Sequence, residues 1–348
     1  MSMLVDGEWR TDAFETTDEE GEFDRQESAF RDRVEADPDA EFPAEAGRYH
    51  LYVSYACPWA HRTLVTRSLL GLEDAVSVSV VDPYREDDGW EFSPEKEGAT
   101  EDHVNGFDYL RETYVAADPE YTGRPTVPVL WDKEKETIVN NESKDVMRML
   151  DTAFHGEARS DSNASGEAAS VAERDVTLYP EGYRDEVDAT IEDIYEPINN
   201  GVYRAGFAGN QQAYERAVTE LFDALDRYDE LLADQRYLCG DRLTEADVAM
   251  FTTLVRFDAV YHTHFKCNVR QIADYEHLWP YLRDLYQTPG VAETVHMDHI
   301  KQHYYRSHTD LNPKQIVPKG PDLDFEEPHD RDELPGGPPE DVSPKSQQ

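Results

Sequence analysis

Cysteine is scarce in this sequence, and long apolar runs are absent. The three cysteines among 348 residues, Cys57, Cys239 and Cys267, are widely spaced and odd in number, which argues against a disulfide framework and for a reducing compartment. No apolar run approaches the roughly 20 residues that cross a bilayer, and the N-terminal stretch has no basic region followed by an apolar core. We therefore expect a cytoplasmic protein without a membrane span or a signal peptide.

Positive charge is scarce as well. The chain has 33 basic residues, of which only nine are lysine, against 75 acidic residues, and its formal net charge is -42. Such a surface repels nucleic acid and anionic membranes, so neither is expected as a partner. Because 39% of the residues are hydrophobic and 11% are aromatic, the chain can fill real cores and does not have the composition of a disordered protein. We interpret the acidic coat as halophilic, since counterions at high salt screen its self-repulsion.

The first half of the chain alternates between strand and helix patterns. The run RYHLYVSY has the composition of a strand, and apolar residues at helical spacing follow it as far as Gly71. A second strand pattern, AVSVSVV, leads into a long acidic and aromatic connection, after which RPTVPVLWD and TIVNN read as a hairpin and ESKDVMRMLDTAF as a helix. This order predicts an α/β thioredoxin-like domain at residues 48–155, preceded by an acidic extension at residues 1–47.

The second half of the chain has mainly helical periodicity. Residues 156–174 are small and polar and are predicted to form a linker. Five segments within residues 175–317 carry apolar residues three and four apart, which predicts an all-α helical bundle, and Thr244 with Asp247 has the pattern of a helix-capping box. Residues 318–348 contain seven prolines and many acids, so this tail is expected to be either disordered or draped over the surface.

Cys57 is the candidate reactive residue. It stands where the first strand turns into a helix, and Pro58 follows it at the first helical position. The partial positive charge of a helix N-terminus lowers the pKa of a thiol placed there. The stretch TVPVL adds a second signal, because an X-Pro bond that opens a strand in such a domain is often cis and leaves the backbone of Val127 open to an extended ligand. A buried structural cysteine and an ordinary edge proline are the alternatives, and the two signals together favour the reactive thiol.

The sequence CPWA lacks the second cysteine of a C-x-x-C pair. A mixed disulfide on Cys57 must therefore be resolved by a thiol from outside, and a small-molecule thiol is the natural candidate. At NNESKDV, Glu142 and Ser143 stand at a strand-to-helix turn, where a carboxylate, a hydroxyl and free helix amides can hold the ammonium and carboxylate of a γ-glutamyl group. An ordinary helix cap is the alternative there.

These motifs resemble a known family. The stretches YACPWAHR, GRPTVPVLWD, IVNNES, IYEPINNGVYRAGFA, LTEADVAMFTTLVRFDAVYHTHFKCN and MDHIKQHYYRSH are similar, in order, to those of the glutathionyl-hydroquinone reductases, the Xi class of glutathione transferases. The resemblance runs from about Arg48 to about Pro321. It implies a glutathione transferase-like fold, a homodimer, and Cys57 as the nucleophile. The linker and the acidic tail depart from the family pattern.

The resemblance also implies roles for individual residues. The thiol-binding residues would be Trp90, Arg124, Val127, Glu142 and Ser143, and the pocket for the aromatic substrate would contain Tyr203, Tyr261 and Tyr304. Tyr203 and Tyr304 are the candidates for protonating the ring. The expected thiol is glutathione or γ-glutamylcysteine. His299 and His303 lie one helical turn apart near His296, but no further ligand is clearly placed beside them, so no metal is expected.

The sequence therefore predicts a thiol-dependent reductase. The Cys57 thiolate would attack the sulfur that joins a small thiol to a hydroquinone ring, and a second thiol would resolve the mixed disulfide, giving hydroquinone and oxidised thiol. Two alternatives stay open. The same site could conjugate glutathione or transfer thiols in general, or the chain could be a transferase-like binding module without catalytic activity.

Overall fold

The structure, a computed structural model, describes residues 2–12, 17–18, 20–23, 25–154 and 176–338. The linker predicted at residues 156–174 and residues 339–348 of the predicted tail lie outside this part. The described residues form two compact units. Unit 1 falls within Met1–Glu15, Gln26–Asp175 and His296–Ser307, and unit 2 within Thr16–Arg25, Val176–Val295 and His308–Gln348. No helix in the described residues is long and apolar enough to cross a bilayer.

Unit 1 is built on a mixed sheet. Its strands are β1 (Met3–Val5), β2 (Glu8–Arg10), β3 (Tyr49–Val53), β4 (Val76–Val80), β5 (Val129–Asp132) and β6 (Thr137–Asn140). The strand order is β4-β3-β5-β6, and β1 and β2 form a separate hairpin. β3 pairs parallel with β4 and antiparallel with β5, and β5 pairs antiparallel with β6. The predicted thioredoxin-like sheet, with its antiparallel hairpin, is confirmed.

The helices of both units follow the periodicity of the sequence. They are α1 (Pro58–Leu69), α2 (Leu110–Ala117), α3 (Ser143–Thr152), α4 (Arg184–Ile194), α5 (Gly201–Gly206), α6 (Gln211–Leu231), α7 (Glu245–Arg256), α8 (His262–His264), α9 (Leu278–Gln287) and α10 (Met297–Ser307). The predicted all-α bundle after the α/β domain is thereby confirmed. α2 lies inside the long connection after β4, a stretch in which no helix is predicted.

The units differ from the predicted domain bounds at α10 and within the N-terminal extension, among other places. α10, predicted as part of the helical bundle, belongs to unit 1, where His303 Nδ1 lies 2.9 Å from the carbonyl oxygen of Pro83. Residues from Gln26 onward, predicted as part of an N-terminal extension, also belong to unit 1, and Val34 among them is buried. Periodicity shows that a helix has a buried face but not what covers that face, so the sequence could not assign α10.

Unit 2 contains two breaks in helical geometry. A π-helical turn at Tyr195–Asn199 separates α4 from α5, and another at Phe257–Tyr261 separates α7 from α8. Pro197 lies in the first turn and has no N–H to donate, so an α-helical hydrogen bond is lost there. The Asn200 N–H instead donates to the Tyr195 carbonyl at 2.7 Å.

Asp247 organises the start of α7. The capping box predicted with Thr244 is confirmed, since the Asp247 carboxylate accepts the Thr244 N–H at 2.8 Å and the Thr244 hydroxyl at 3.1 Å. The same carboxylate accepts the Leu238 N–H and the Tyr281 hydroxyl, each at 2.8 Å. Burial raises the pKa of Asp247 to about 6. One buried carboxylate thus satisfies four donors from three parts of unit 2.

The described part of the acidic tail packs on unit 2. Arg331 is buried, and its guanidinium donates to the carbonyl oxygens of Leu232 at 2.6 Å and Arg236 at 2.7 Å. The ring of Phe325 lies against those of Trp279 and Tyr286, with centroids 5.6 and 4.9 Å away. Residues 318–338 are therefore draped over the surface of unit 2, which is one of the two alternatives predicted for the tail.

Candidate active site around Cys57

Cys57 is the N-cap residue of α1, as the sequence predicts. Its φ and ψ are -77° and 121°, Pro58 occupies the first helical position, and the side chain makes no capping hydrogen bond. The strand before it, β3, is fully buried, whereas Cys57 itself is half-buried. The thiol therefore sits at the positive end of a helix held in place by the core of unit 1.

The other two cysteines lie in different surroundings. Cys239 and Cys267 are both completely buried, the position expected of structural cysteines. Burial raises the pKa of the Cys239 thiol to about 11 and raises that of Cys267 as well. All three thiols are free. Among them, Cys57 alone combines partial exposure with a helix N-terminus.

Val127 lies directly beside the Cys57 thiol. The Val127–Pro128 peptide bond is cis, and the Val127 carbonyl oxygen is 3.6 Å from Cys57 Sγ. Trp90, the next predicted thiol-binding residue, is also buried in unit 1, and its ring stacks on His303 with centroids 4.9 Å apart.

Glu142 and Ser143 form the start of α3. Glu142 is the N-cap residue, and its carboxylate accepts the Lys144 N–H at 3.3 Å and the Ser143 hydroxyl at 3.4 Å. Ser143 is buried, and Glu142 is half-buried. The helix-cap alternative is thus realised in the structure. It does not exclude ligand binding, because a carboxylate can accept further donors.

The segment before β3 contacts this turn in a way that the sequence did not indicate. Ser28 donates from its hydroxyl to Glu142 Oε2 at 3.0 Å. Gln26 Oε1 accepts the backbone N–H of Arg124, another predicted thiol-binding residue, at 2.8 Å. Both contacts join residues about a hundred positions apart, and no local pattern in the sequence announces them.

The three candidate tyrosines fall in both units. Tyr304 lies on α10 in unit 1, together with Cys57, and is buried. Tyr203 and Tyr261 lie in unit 2, where their ring centroids are 5.9 Å apart. Tyr261 is completely buried and Tyr203 is half-buried. Phe265 stacks on Tyr261 at 5.5 Å, so the aromatic stretch before it contributes to a ring cluster inside unit 2.

His299 on α10 and His296 just before that helix both contact other residues of unit 1. His299 Nε2 lies 2.6 Å from the Glu97 carbonyl oxygen, and His296 stacks on Tyr55 at 3.6 Å between centroids. Burial lowers the pKa of His296. Across the described ranges, no group of three or more His, Cys, Asp or Glu side chains is arranged to hold a metal ion.

Two family models match the chain. The model of the glutathione S-transferase N-terminal domain matches residues 56–153, and that of the C-terminal domain matches residues 211–284. The first of these ranges includes Cys57 and the turn at Glu142.

Curated relatives and solved structures match over nearly the whole chain. Glutathionyl-hydroquinone reductase YqjG of Escherichia coli (strain K12) is 48% identical over 338 residues, which is 95% of this chain and 99% of YqjG. Glutathionyl-hydroquinone reductase PcpF of Sphingobium chlorophenolicum is 47% identical, over 92% of this chain and 96% of PcpF. A Xi-class glutathione transferase structure from Natrialba magadii superposes with a TM-score of 0.87 at 65% identity, over 97% of this chain and 98% of that one. The glutathione-bound structure of YqjG gives a TM-score of 0.83 at 46% identity, over 95% and 99%. The chain therefore belongs to the glutathionyl-hydroquinone reductases, the Xi class of the glutathione transferase superfamily.

Proposed function

We propose that this protein removes glutathione, or the related thiol γ-glutamylcysteine, from thiol-hydroquinone conjugates. The observation that carries the proposal is the half-buried Cys57 thiol at the N-terminus of α1, in a motif without a second cysteine. A lone thiolate in this position can accept a thiol from a substrate but needs another thiol from solution to release it. Membership of the family supports the choice of a hydroquinone as the leaving group.

The proposed reaction has two steps. The Cys57 thiolate attacks the sulfur of the conjugate, so that an S–S bond forms and the bond between sulfur and the ring breaks. The electron pair of the broken bond goes to the ring carbon, which takes a proton from Tyr203 or Tyr304. A second thiolate then attacks the mixed disulfide, restores the Cys57 thiolate and leaves as the oxidised dimer of the small thiol. The ring carbon is reduced by two electrons, and two small thiols are oxidised to one disulfide.

The thiol is proposed to bind across the β5 end of unit 1. The backbone of Val127, beside the reactive sulfur, would pair with the backbone of the thiol, and Glu142 and Ser143 at the start of α3 would hold its γ-glutamyl group. Trp90 and Arg124 are proposed as further contacts. Tyr261 is proposed to line the aromatic pocket with the two proton-donor candidates.

Glu142→Gln is expected to weaken binding of S-methylglutathione by about one to two decades, because a hydrogen bond to a charged group contributes about 1.5 to 3 kcal/mol. Isothermal titration calorimetry measures the affinity without turnover. Ser28→Ala removes a donor to the same carboxylate and should lower the affinity by a smaller factor. Glu120→Gln, at an exposed position, is the control for lost surface charge. Equal affinities in all four proteins would place the γ-glutamyl group elsewhere.

The reductase activity is tested by product analysis. Purified protein is incubated with 2-(glutathion-S-yl)hydroquinone and an excess of either glutathione or γ-glutamylcysteine, and the products are separated by chromatography. We expect free hydroquinone and a disulfide in equal amounts. Conjugation of an aromatic electrophile without any hydroquinone release would favour the transferase alternative. Thiol binding without either reaction would favour the binding-module alternative.

We also propose a homodimer that works in a salt-rich cytoplasm. The dimer rests on the family resemblance, and the reducing compartment on the three free thiols. The net charge of -42 gives the salt proposal a direct test. Raising KCl from about 0.1 M to about 1 M shortens the Debye length from about 10 Å to about 3 Å, which weakens repulsion among the surface acids. The melting temperature should therefore rise across this range, and a flat or falling curve from scanning calorimetry would contradict the proposal.

A further inference from the structure

Tyr203, one of the two proposed proton donors, belongs to a cluster of aromatic rings inside unit 2. Phe265 and Tyr261 are completely buried, and their ring centroids lie 5.5 and 5.9 Å from that of Tyr203. Phe207, one helical turn after Tyr203, lies 5.1 Å from Phe265. Gly206 allows this close approach of α5, because a Cβ at that position would collide with the Phe265 ring. The Tyr203 ring is therefore supported by a buried aromatic layer.

The outer layer of the cluster consists of three half-buried rings, those of Phe23, Tyr203 and Phe207. The Phe23 centroid lies 6.2 Å from that of Tyr203 and 5.5 Å from that of Phe207, with 25° between the ring planes in both pairs. Tyr203 and Phe207 are 6.3 Å apart at 19°, so the three rings are nearly parallel. Tyr203 and Phe207 come from α5 and its C-cap, whereas Phe23 comes from the predicted N-terminal extension.

The turn that carries Phe23 is docked on unit 2 by hydrogen bonds. The Gly21 carbonyl accepts the Gly209 N–H at 2.8 Å, and the Glu20 carbonyl accepts the side-chain amide of Asn210 at 2.7 Å. Gly21 has a φ of +80°, and a Cβ there would collide with the Asn210 side chain. Because Gly209 and Asn210 lie between α5 and α6, the turn holds the Phe23 ring next to α5.

The three outer rings form a partly exposed apolar patch. On a chain with a net charge of -42, contiguous aromatic surface of this kind marks a ligand site or an interface. The patch is continuous with the proposed pocket for the aromatic substrate, because Tyr203 belongs to both. Aromatic rings pair with one another at centroid distances of about 4.5 to 7 Å. The side chain of Phe23 has no polar atom, so it can offer contact area to a bound ring but no proton.

We propose that Phe23 is a specificity-determining residue, which forms the outer wall of the aromatic pocket and stacks on the hydroquinone ring of the conjugate. This inference rests on the proposed function, in which Tyr203 lines that pocket. No bond forms or breaks at Phe23. A phenylalanine wall accepts hydroquinone rings with apolar substituents and disfavours rings that carry a carboxylate or a sulfonate, because it cannot balance their charge.

Steady-state kinetics with two substrates test this contact. The ring substrate is 2-(glutathion-S-yl)hydroquinone, and the ringless substrate is the mixed disulfide of glutathione and 2-mercaptoethanol, in which Cys57 attacks the glutathione sulfur and 2-mercaptoethanol leaves. Phe23→Ala should raise KM for the ring substrate about three- to tenfold, the effect of one lost aromatic pair. Its kcat should stay nearly unchanged, because the contact is made equally in the ground state and the transition state. KM for the ringless substrate should not change.

Two further variants complete the comparison. Phe23→Tyr keeps the ring and should stay close to wild type on both substrates. Phe325→Ala is the matched control, since Phe325 is also carried onto unit 2 by a terminal segment and stacks on Tyr286 at 4.9 Å. It removes an equivalent ring outside the patch, and both KM values should stay unchanged.

Several results would overturn the role of Phe23. One is an unchanged KM for the ring substrate in Phe23→Ala, and another is an equal rise for both substrates, since the loss would then not depend on the ring. A change of oligomeric mass in Phe23→Ala by light scattering, with KM unchanged, would show that the patch is an interface between copies of the chain. Hydroquinone release by wild type is measured separately: its absence would refute the proposed function and this inference with it, whereas release with an unchanged KM would refute the role of Phe23 alone.

Discussion

Cys57→Ser is expected to abolish hydroquinone release, lowering turnover by about three orders of magnitude or more. A serine hydroxyl at the N-cap of α1 keeps the size and the backbone geometry of the cysteine. It is not ionised at neutral pH, however, and it has no affinity for the sulfur of a conjugate, so the mixed disulfide cannot form. Thiol binding should survive, because its proposed contacts lie on other residues. Activity is measured as hydroquinone formed per enzyme with saturating conjugate and thiol.

A single-turnover experiment locates the intermediate. When wild type is mixed with the conjugate in the absence of free thiol, intact-mass and peptide mass spectrometry should find one thiol adduct, on the peptide that contains Cys57. Cys239→Ala is the matched control, since it removes a different thiol that is buried in unit 2. It should leave the adduct and the turnover in place. A Cys57→Ser protein that still releases hydroquinone, or an adduct on another residue, would refute the mechanism.

Features fixed by neighbouring residues were predictable from the sequence. The strand-to-helix turn at Cys57 follows from a β-branched run, a proline at the first helical position and helical spacing after it. The turn at Glu142 follows from similar signals. The capping box of Thr244 and Asp247 needs only a threonine and an acid three residues apart. In each case the structure places the residues where the local pattern predicts.

Features fixed by distant residues were not predictable. Gln26 Oε1 accepts the backbone N–H of Arg124 across a segment of about a hundred residues. Ser28 reaches Glu142 across more than a hundred residues. α10 has an ordinary amphipathic pattern, which is equally compatible with either unit. Tertiary pairing decides all three cases, and a single sequence contains no direct record of it.

Asp247→Ala is expected to destabilise unit 2 by about 3 kcal/mol or more, since it leaves buried donors without an acceptor and each such loss costs about 1 to 3 kcal/mol. The four donors come from Leu238, Thr244 and Tyr281, so the carboxylate joins the start of α7 to α9 and to the loop before α7. Urea unfolding at constant KCl, followed by circular dichroism, measures the change in free energy of unfolding.

The pH dependence of the lost free energy of unfolding distinguishes the effect of the Asp247 carboxylate from that of the smaller side chain in Asp247→Ala. The folded pKa of Asp247 is raised to about 6, above its ordinary value near 3.9. Between these two values the folded protein keeps a proton that the unfolded chain has released, so the contribution of Asp247 to stability is largest below about pH 4 and falls as the pH rises to about 6. The difference in free energy of unfolding between wild type and Asp247→Ala should therefore shrink across this pH window. The control variant Asp234→Ala, at an exposed position after α6, should stay near wild type throughout. A loss of free energy of unfolding that is small and independent of pH would show that the four hydrogen bonds contribute little. The packing of α7 against its neighbours would then stabilise this part of unit 2 without them.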